Sequence, residues 1–221
     1  HCLSEWGHDF RTAYLNLSST IRKLCSDFTF LGLTATASIN VLKDIQIEFG
    51  IKQINIKTPV DYTREELDFK VIDDKGDKFT ELKIFLTKKN KEDEIFSPKG
   101  DDSRCGIIFT PNINGKRGCY KLSVDLSKYF QTDIKYYSGS VPKINDKPIM
   151  LDSDFDNYKK QVQREYKDNQ FTLLTATKAF GMGVNKSNVH YTIHYGIPNS
   201  MESLYQEGGR AGRDKLKFKN Q

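Results

Sequence analysis

The sequence predicts a doubly wound α/β fold, in which helices cover both faces of a parallel sheet. Two observations support this class. Helix-like and strand-like hydrophobic patterns alternate along the chain from about residue 66 to residue 208. Two strand segments, 106–109 and 172–174, are almost continuously apolar, as strands buried on both faces are. Such sheets bind ligands where their strands end, so we expect functional residues just after the strands.

The first part of the chain predicts a helix, a strand and a second helix. Apolar residues recur at helical spacing from Leu17 to Phe28, and the run 28–34 is interpreted as a short buried strand. A second helix reaches Phe49, where Gly50 can end it in the left-handed conformation. Residues 54–57 are interpreted as one more strand. The pattern then breaks, and we place a domain boundary between residues 1–60 and 61–221.

The second part predicts regular alternation. Its elements are a strand at 67–72, a helix at 78–89, a strand at 105–110, a helix at 116–130, a strand at 134–137, a helix at 154–168, strands at 171–175 and 189–195, and a helix at 200–208. Asn199 is expected to cap the last helix, with Glu202 closing a capping box. The charged run 88–94 is interpreted as a solvated loop, because its charges have both signs.

Composition narrows the class of protein. The chain has 221 residues, 37% of them hydrophobic and 29% charged, which excludes collagen, coiled coils and disordered tails. No apolar stretch is long enough to span a bilayer and no signal peptide is evident, so we expect a cytoplasmic protein without a membrane partner. The four cysteines lack the close spacing of a zinc site, and we expect no metal site in these residues. A net charge of +5 is compatible with a polyanionic partner but does not demonstrate one.

The most informative motif lies near the end of the chain, from Tyr205 to Asp214. It holds Arg210 and Arg213 in a tight turn bounded by glycines. Two planar guanidinium groups placed in this way can meet the oxygens of a nucleoside triphosphate, where charge spreads during phosphoryl transfer. The alternative is a glycine helix cap followed by surface arginines. The spacing Gln-x-x-Gly-Arg-x-Gly-Arg favours the nucleotide site.

Two weaker clusters follow other predicted strands. In the segment 175–185, Gly181 and Gly183 permit close backbone approach to a ligand, and the Thr177 hydroxyl can bond a phosphate oxygen. The segment 33–37 ends the first predicted strand, and a threonine helix cap explains it equally well.

Taken in order, five segments resemble the RecQ family of DNA helicases, and together they cover nearly the whole chain. They are the segment from His1 to Arg11, then Leu33-Thr34-Ala35-Thr36-Ala37, then Gly106-Ile107-Ile108-Phe109, then Ala179-Phe180-Gly181-Met182-Gly183, then the segment from Gln206 to Asp214. The resemblance makes His1 the last residue of the Asp-Glu-x-His motif and residues 2–14 an aromatic-rich loop that senses single-stranded DNA. It also implies that 1–60 is the C-terminal part of a first RecA-like domain and 61–221 a second RecA-like domain.

This resemblance implies a 3′ to 5′ DNA-unwinding motor driven by ATP hydrolysis. The residues it assigns to catalysis are His1, Gln206, Arg210 and Arg213. Those it assigns to nucleotide binding are Gly181, Gly183, Gln206, Arg210 and Arg213, and those that couple hydrolysis to strand movement are Thr34 and Thr36. The residues it assigns to DNA are Trp6, Phe10, Arg11, Thr110, Ser138 and Thr177. The aromatic side chains and the arginine between them suit stacking on unpaired bases, although core packing explains the aromatics about equally well.

The sequence departs from the family pattern in two ways. Single residues differ, at Glu5, Ser138, Lys178, Gly208 and Lys215. More importantly, the chain has no Gly-x-x-x-x-Gly-Lys-[Ser/Thr] phosphate loop and lacks the Asp-Glu pair that should precede His1 and hold Mg²⁺.

We therefore expect this chain alone to be inactive as an ATPase and to bind no cofactor tightly. ATP and Mg²⁺ would belong to the full-length protein. Its partners would be single-stranded DNA and duplex junctions, together with the missing N-terminal half of the first motor domain. If the protein is bacterial, we expect it at the nucleoid. The alternatives are an RNA helicase of the same superfamily and a non-catalytic α/β nucleic-acid-binding module.

Overall fold

The computed structural model describes residues 16–33, 39–58, 64–181 and 186–213. The chain divides into two compact units, His1–Thr63 and Arg64–Gln221. In the first unit, helices α1 (Leu17–Leu24) and α2 (Ile39–Phe49) are followed by a short 3₁₀ helix, Gln53–Asn55. The Ser18 hydroxyl donates a hydrogen bond of 2.7 Å to the Glu48 carbonyl, which ties α1 to the end of α2. Gly50 ends α2 with φ of +65°, as the sequence predicts.

The two strands predicted for the first unit are wrong where the structure describes them. Residues 28–33 form no strand, and Leu31 and Leu33 are 84% and 88% exposed. The segment 54–57 overlaps the 3₁₀ helix instead. A strand needs a neighbour for its backbone hydrogen bonds, and the described residues of this unit provide none.

The second unit is built on a four-stranded parallel sheet. Its strands are β1 (Cys105–Phe109), β2 (Ile134–Tyr137), β5 (Leu173–Ala176) and β6 (Val189–His194), in the order β2-β5-β1-β6. In register, Ile107 of β1 lies opposite Leu174 of β5 and Thr192 of β6. A separate two-stranded antiparallel hairpin consists of β3 (Lys143–Ile144) and β4 (Lys147–Pro148).

Helices pack on both faces of this sheet. The first face is covered by α3 (Lys78–Asp93) and α4 (Cys119–Phe130), whose Leu86 and Leu122 pack against Ile108. The other face is covered by α5 (Asp152–Lys167), whose Tyr166 packs against Ile107. Ala211, which follows the last helix α6 (Met201–Gly208), belongs to the same core cluster. The doubly wound α/β class is therefore confirmed. None of the described helices is both long and apolar enough to cross a membrane.

Three predictions in the second unit need correction. Residues 67–72 do not form a strand, and Val71 is fully exposed, because the segment pairs with no neighbouring strand. The run 88–94, predicted as a loop, mostly continues α3 to Asp93, where i,i+4 ion pairs such as Lys89–Asp93 (2.6 Å) stabilise the helix. Ser200, not Asn199, caps α6, and its side chain accepts a hydrogen bond from the Ser203 backbone N–H.

Candidate functional site

The two motif arginines lie in a loop that follows α6 and returns to the beginning of β6. The Gly212 N–H donates a hydrogen bond of 3.1 Å to the carbonyl of Val189, the first residue of β6. Gly212 has φ of +66°, a conformation that favours glycine. The arginine loop, residues 209–213, therefore lies near the amino end of β6. The expectation that it would lie at a carboxyl end of a strand is wrong, because α6 carries the chain back along the sheet.

Arg64 holds this loop through backbone carbonyls. Its guanidinium donates hydrogen bonds to the carbonyls of Gly209 (3.3 Å), Ala211 (3.4 Å) and Gly212 (3.1 Å). The Nε atom of Arg64 lies 3.5 Å from a carboxylate oxygen of Glu66. One planar group thus fixes three parts of the turn. The sequence does not predict this role, because the partners of Arg64 are backbone atoms about 145 residues away.

The glycines of the motif allow close packing. A Cβ at Gly209 would lie 2.7 Å from the Tyr205 carbonyl oxygen, so the turn admits no larger residue without a shift. A Cβ at Gly208 would lie 3.1 Å from the ring of Phe69, which stacks on Tyr205 of α6. The RecQ pattern has Thr or Ser at position 208, where this chain has glycine. The glycine leaves room for the Phe69 ring to pack closely there.

A small, partly open cleft brings three cationic side chains together. Lys186, Arg210 and Arg213 line it with apolar residues of the sheet face, namely Ile107, Tyr166, Phe180 and Val189. The pKa of Arg210 is lowered, first by burial and then by the nearby charge of Arg213. An anion in the cleft would relieve this repulsion. The donor set therefore fits phosphate oxygens.

Lys186 is held by a buried polar cluster that the sequence did not reveal. The residue is only 6% exposed. Its ammonium donates a hydrogen bond to the side-chain carbonyl of Asn169 and lies 5.0 Å from the centre of the Tyr166 ring. The Asn188 side chain donates to the same Asn169 oxygen at 2.8 Å. Burial lowers the pKa of Lys186. In the sequence, Lys186 is visible only as a lysine shortly after Gly183. Its spacing from Arg210 and Arg213 does not show that the three side chains share a cleft.

A contact between β6 and α6 fixes the helix that carries Gln206. The His194 Nε2 atom lies 3.0 Å from a carboxylate oxygen of Glu207, and the imidazole ring stacks on Phe109 at 5.7 Å. Gln206 lies in the last turn of α6, four residues before Arg210. Arg210 and Arg213 line the cleft, whereas Gln206 lies in the helix before them and is not among the lining residues.

The three predicted DNA contacts of this unit lie together at the opposite end of the sheet. Thr110, Ser138 and Thr177 directly follow β1, β2 and β5, which are neighbouring strands. All three are buried, at 4%, 0% and 7% exposure. The hydroxyl of Thr110 donates to the Asn112 carbonyl (2.9 Å) and that of Ser138 to the Ser140 carbonyl (2.7 Å). The contact of these three residues with DNA stays a prediction, and the hydroxyl protons of Thr110 and Ser138 are already used within the protein.

Several predicted residues lie outside the described residues. They are His1, Trp6, Phe10, Arg11, Thr34, Thr36 and Gly183. Gly181 ends the 3₁₀ helix Lys178–Gly181 that follows β5. In the described part of the chain, no group of three or more His, Cys, Asp or Glu side chains could hold a metal ion.

Comparison with known proteins decides the family. The model named "Helicase conserved C-terminal domain" matches residues 92–215, more than half of the chain. The chain belongs to this helicase family. The match runs from the end of α3 through the sheet to the arginine loop, so the cleft at Arg210 and Arg213 lies within the helicase domain. Arg64, which holds that loop, precedes the matched residues.

Individual helicases extend the similarity to nearly the whole chain. "ATP-dependent DNA helicase RecQ" of Bacillus subtilis is 32% identical over 98% of this chain and 31% of its own length. "Putative ATP-dependent DNA helicase Q1" of Caenorhabditis briggsae is 35% identical over 98% of this chain and 31% of its own. "ATP-dependent DNA helicase Q5" of mouse is 32% identical over 97% of this chain and 20% of its own. The RecQ resemblance is confirmed, and this helicase chain spans about a third or less of the relatives it matches.

Proposed function

We propose that this chain is part of an ATP-dependent DNA helicase of RecQ type, which moves 3′ to 5′ and couples ATP hydrolysis to unwinding of duplex DNA. The names of the similar helicases support ATP dependence and DNA as the substrate class. We further propose that the protein works in the cytoplasm, at the nucleoid if it is bacterial.

The observation that carries this proposal is the cationic cleft beside the arginine loop. Arg210, Arg213 and Lys186 converge there, and Arg64 fixes the backbone that carries the arginines. Guanidinium groups donate hydrogen bonds in a planar fork that matches phosphate geometry. Donors held in place before the reaction stabilise the charge that develops on the phosphoryl oxygens without further reorganisation. The arginine loop thus has the composition and rigidity that an arginine-finger role requires.

The cofactors of the longer protein would be ATP and Mg²⁺. Of the described residues, Gln206, Arg210, Arg213 and Lys186 would hold the phosphates, and the metal would neutralise charge on the phosphate oxygens. The 221 residues contain no phosphate-loop motif. We therefore propose that this chain alone does not hydrolyse ATP, and that activity requires the first motor domain in complete form.

The DNA partner would be a single strand next to a duplex junction. Trp6, Phe10 and Arg11 would stack on unpaired bases, and Thr34 and Thr36 would couple hydrolysis to movement of the strand. The residues at the carboxyl ends of the strands, Thr110, Ser138 and Thr177, would face the DNA backbone.

Unwinding by the longer protein tests this function directly. Duplexes of identical sequence with a 3′ tail, a 5′ tail or blunt ends are incubated with ATP or with a non-hydrolysable analogue. We expect unwinding only with ATP and only of the 3′-tailed duplex, and ATP turnover stimulated by single-stranded DNA. Turnover stimulated by RNA but not by DNA would favour an RNA helicase. Nucleic-acid binding with no turnover under any condition would favour a non-catalytic binding module.

A further inference from the structure

Glu207 contacts both the sheet and the arginine loop. It lies in the last turn of α6, two residues before the loop begins at Gly209. Its carboxylate oxygen Oε2 lies 3.0 Å from the Nε2 atom of His194, the last residue of β6. Its backbone carbonyl accepts a hydrogen bond of 3.3 Å from the N–H of Arg210. One residue therefore meets an imidazole of the sheet through its side chain and a motif arginine through its backbone.

The imidazole of His194 is fixed in place beside this carboxylate. Its ring stacks on Phe109 of the neighbouring strand β1, with the ring centres 5.7 Å apart and the ring planes inclined by 20°. The side chains of His194 and Glu207 are 16% and 14% exposed. The Nε2 atom is buried and has no hydrogen-bond partner elsewhere in the described part of the chain. The Glu207 carboxylate is therefore the acceptor that this nitrogen meets.

The charge of the same carboxylate also acts on Arg210. The two residues are three positions apart at the end of a helix, a spacing that places side chains on one side of it. The pKa of Arg210 is lowered by burial and by the charge of Arg213, and it is raised by the charge of Glu207. Arginine and carboxylate form strong, often bidentate pairs. A carboxylate free to turn at this position would therefore compete with phosphate oxygens for Arg210.

In the structure the carboxylate meets the imidazole instead. Glu207 forms its ion pair with His194, while Arg210 lines the cationic cleft with Arg213 and Lys186. An imidazole N–H is a donor and an ionised carboxylate accepts only, so the two groups are complementary. The stack on Phe109 keeps the imidazole where it can hold the carboxylate.

We propose that His194 is a positioning residue, which holds the Glu207 carboxylate away from Arg210 and so keeps this guanidinium available to nucleotide phosphates. The inference rests on the proposed function and deepens it, because it concerns the same cleft. His194 acts on the phosphates only through Arg210. Glu207 joins α6 to β6, and the histidine prevents the charge of this acid from cancelling that of the motif arginine.

This role differs from simple packing of His194 in the outcome of one double substitution. If the imidazole only packs, removing the carboxylate as well adds a second defect. If the imidazole restrains the carboxylate, removing the carboxylate repairs the first defect. The substitution chosen is His194→Phe, which keeps an aromatic ring against Phe109 and removes the nitrogen donor.

The test uses the longer protein and measures the dissociation constant of a non-hydrolysable ATP analogue, together with ATP turnover in the presence of single-stranded DNA. We expect His194→Phe to raise the dissociation constant by about tenfold, the loss expected when one charged donor leaves the phosphates, and to lower turnover. His194→Phe/Glu207→Gln should return both values to within a few-fold of wild type. The matched control, His194→Phe/Glu202→Gln, removes the same charge from the first turn of the same helix and should stay as defective as His194→Phe.

Two further variants separate this role from a folding defect. His194→Gln keeps a side-chain N–H donor without the ring and should bind the analogue nearly as well as wild type. In an Arg210→Ala background, His194→Phe should weaken binding no further, because the carboxylate has no guanidinium at position 210 to pair with. Wild-type binding by His194→Phe would overturn the inference, and so would a defect that Glu207→Gln does not repair.

Failure of this inference can be told apart from failure of the proposed function. If the wild-type longer protein hydrolyses ATP and unwinds DNA but Glu207→Gln gives no rescue, only the role of His194 is wrong. If the wild-type longer protein neither binds the analogue nor unwinds DNA, the proposed function itself fails.

Discussion

Arg64 shows how one side chain can organise a functional turn without touching a ligand. Its three hydrogen bonds go to carbonyls on either side of Arg210, so its role depends on the fork of the guanidinium and not on charge alone. This contact could not be predicted from the sequence, because backbone acceptors carry no residue-type signal. The arginines themselves could be predicted, since their spacing with glycine is distinctive.

Replacing Arg64 should loosen the arginine loop. We expect Arg64→Ala to lower the free energy of unfolding by about 1 to 3 kcal/mol, because buried carbonyls lose a charged donor. Arg64→Lys should recover only part of this loss, because a single ammonium cannot reach three carbonyls in the same geometry. Urea denaturation measures both changes. The exposed Arg164 of α5 provides the control, and Arg164→Ala should change stability by less than about 0.5 kcal/mol. Equal stability of Arg64→Ala and wild type would show that the loop holds itself.

Gly106 in β1 provides a second prediction at the residue scale. A Cβ there would lie 2.1 Å from the ring of Tyr191 on the neighbouring strand β6. We expect Gly106→Ala to destabilise the fold by about 1 to 3 kcal/mol, the usual cost of overpacking. At Gly139 a Cβ would meet Ala179 at an ordinary 3.4 Å, so Gly139→Ala is the matched control. Urea denaturation measures both variants. A midpoint of Gly106→Ala equal to those of Gly139→Ala and wild type would contradict the packing described for β1 and β6.

At the scale of elements, prediction succeeded where a segment has a partner to pack against. The strands predicted at 105–110 and 134–137 and the helix predicted from residue 78 are present, because their apolar side chains enter the core on the sheet faces. The segments 28–33 and 67–72 carry similar apolar patterns but pair with no strand in the described part of the chain. The hydrophobic pattern indicates which side chains can be buried. A strand also needs a neighbouring strand for its backbone hydrogen bonds, and the pattern does not show one.

An ion pair joins β2 to α5 and gives the fold a dependence on pH. Lys135 bonds to Glu165, and the pKa of Glu165 is lowered from its usual 4.5, first by this hydrogen bond and then by one from Gln161. A carboxylate with a lowered pKa in the folded state stabilises the fold above about pH 4.5, and this contribution is lost as the pH falls through the folded-state value.

Glu165→Gln should therefore reduce stability at pH 7, and the effect should be smaller at pH 3, because the wild-type carboxylate loses its charge as the pH falls through its lowered folded-state pKa. Urea denaturation at the two pH values measures the difference. Glu92→Gln removes a more exposed carboxylate, 3.9 Å from Lys88, and should change little at either pH. A Glu165→Gln effect of equal size at pH 3 and pH 7 would show that the ion pair does not cause it.

For the whole molecule, the two ends of the sheet have different chemistry. The amino end of β6 carries the arginine loop and the cationic cleft with Lys186. The carboxyl ends of β1, β2 and β5 are followed by the buried hydroxyls of Thr110, Ser138 and Thr177. The sequence predicts functional residues just after the strands, which describes the positions of Thr110, Ser138 and Thr177 but not that of the arginine loop. The separation arises because α6 runs back along the sheet, which no single motif reveals. In our proposal the helicase domain binds nucleotide phosphates at one end and a DNA strand at the other.

The central claim is that the arginine loop stabilises phosphoryl transfer, and Arg213→Ala in the longer protein tests it most directly. ATP turnover in the presence of single-stranded DNA and the dissociation constant of a non-hydrolysable ATP analogue are measured for this variant, for wild type and for Lys128→Ala as a control. We predict that turnover falls by roughly a thousandfold or more, the range for arginine fingers, while the dissociation constant changes only a few-fold. Turnover equal to that of wild type would contradict the role assigned to the loop.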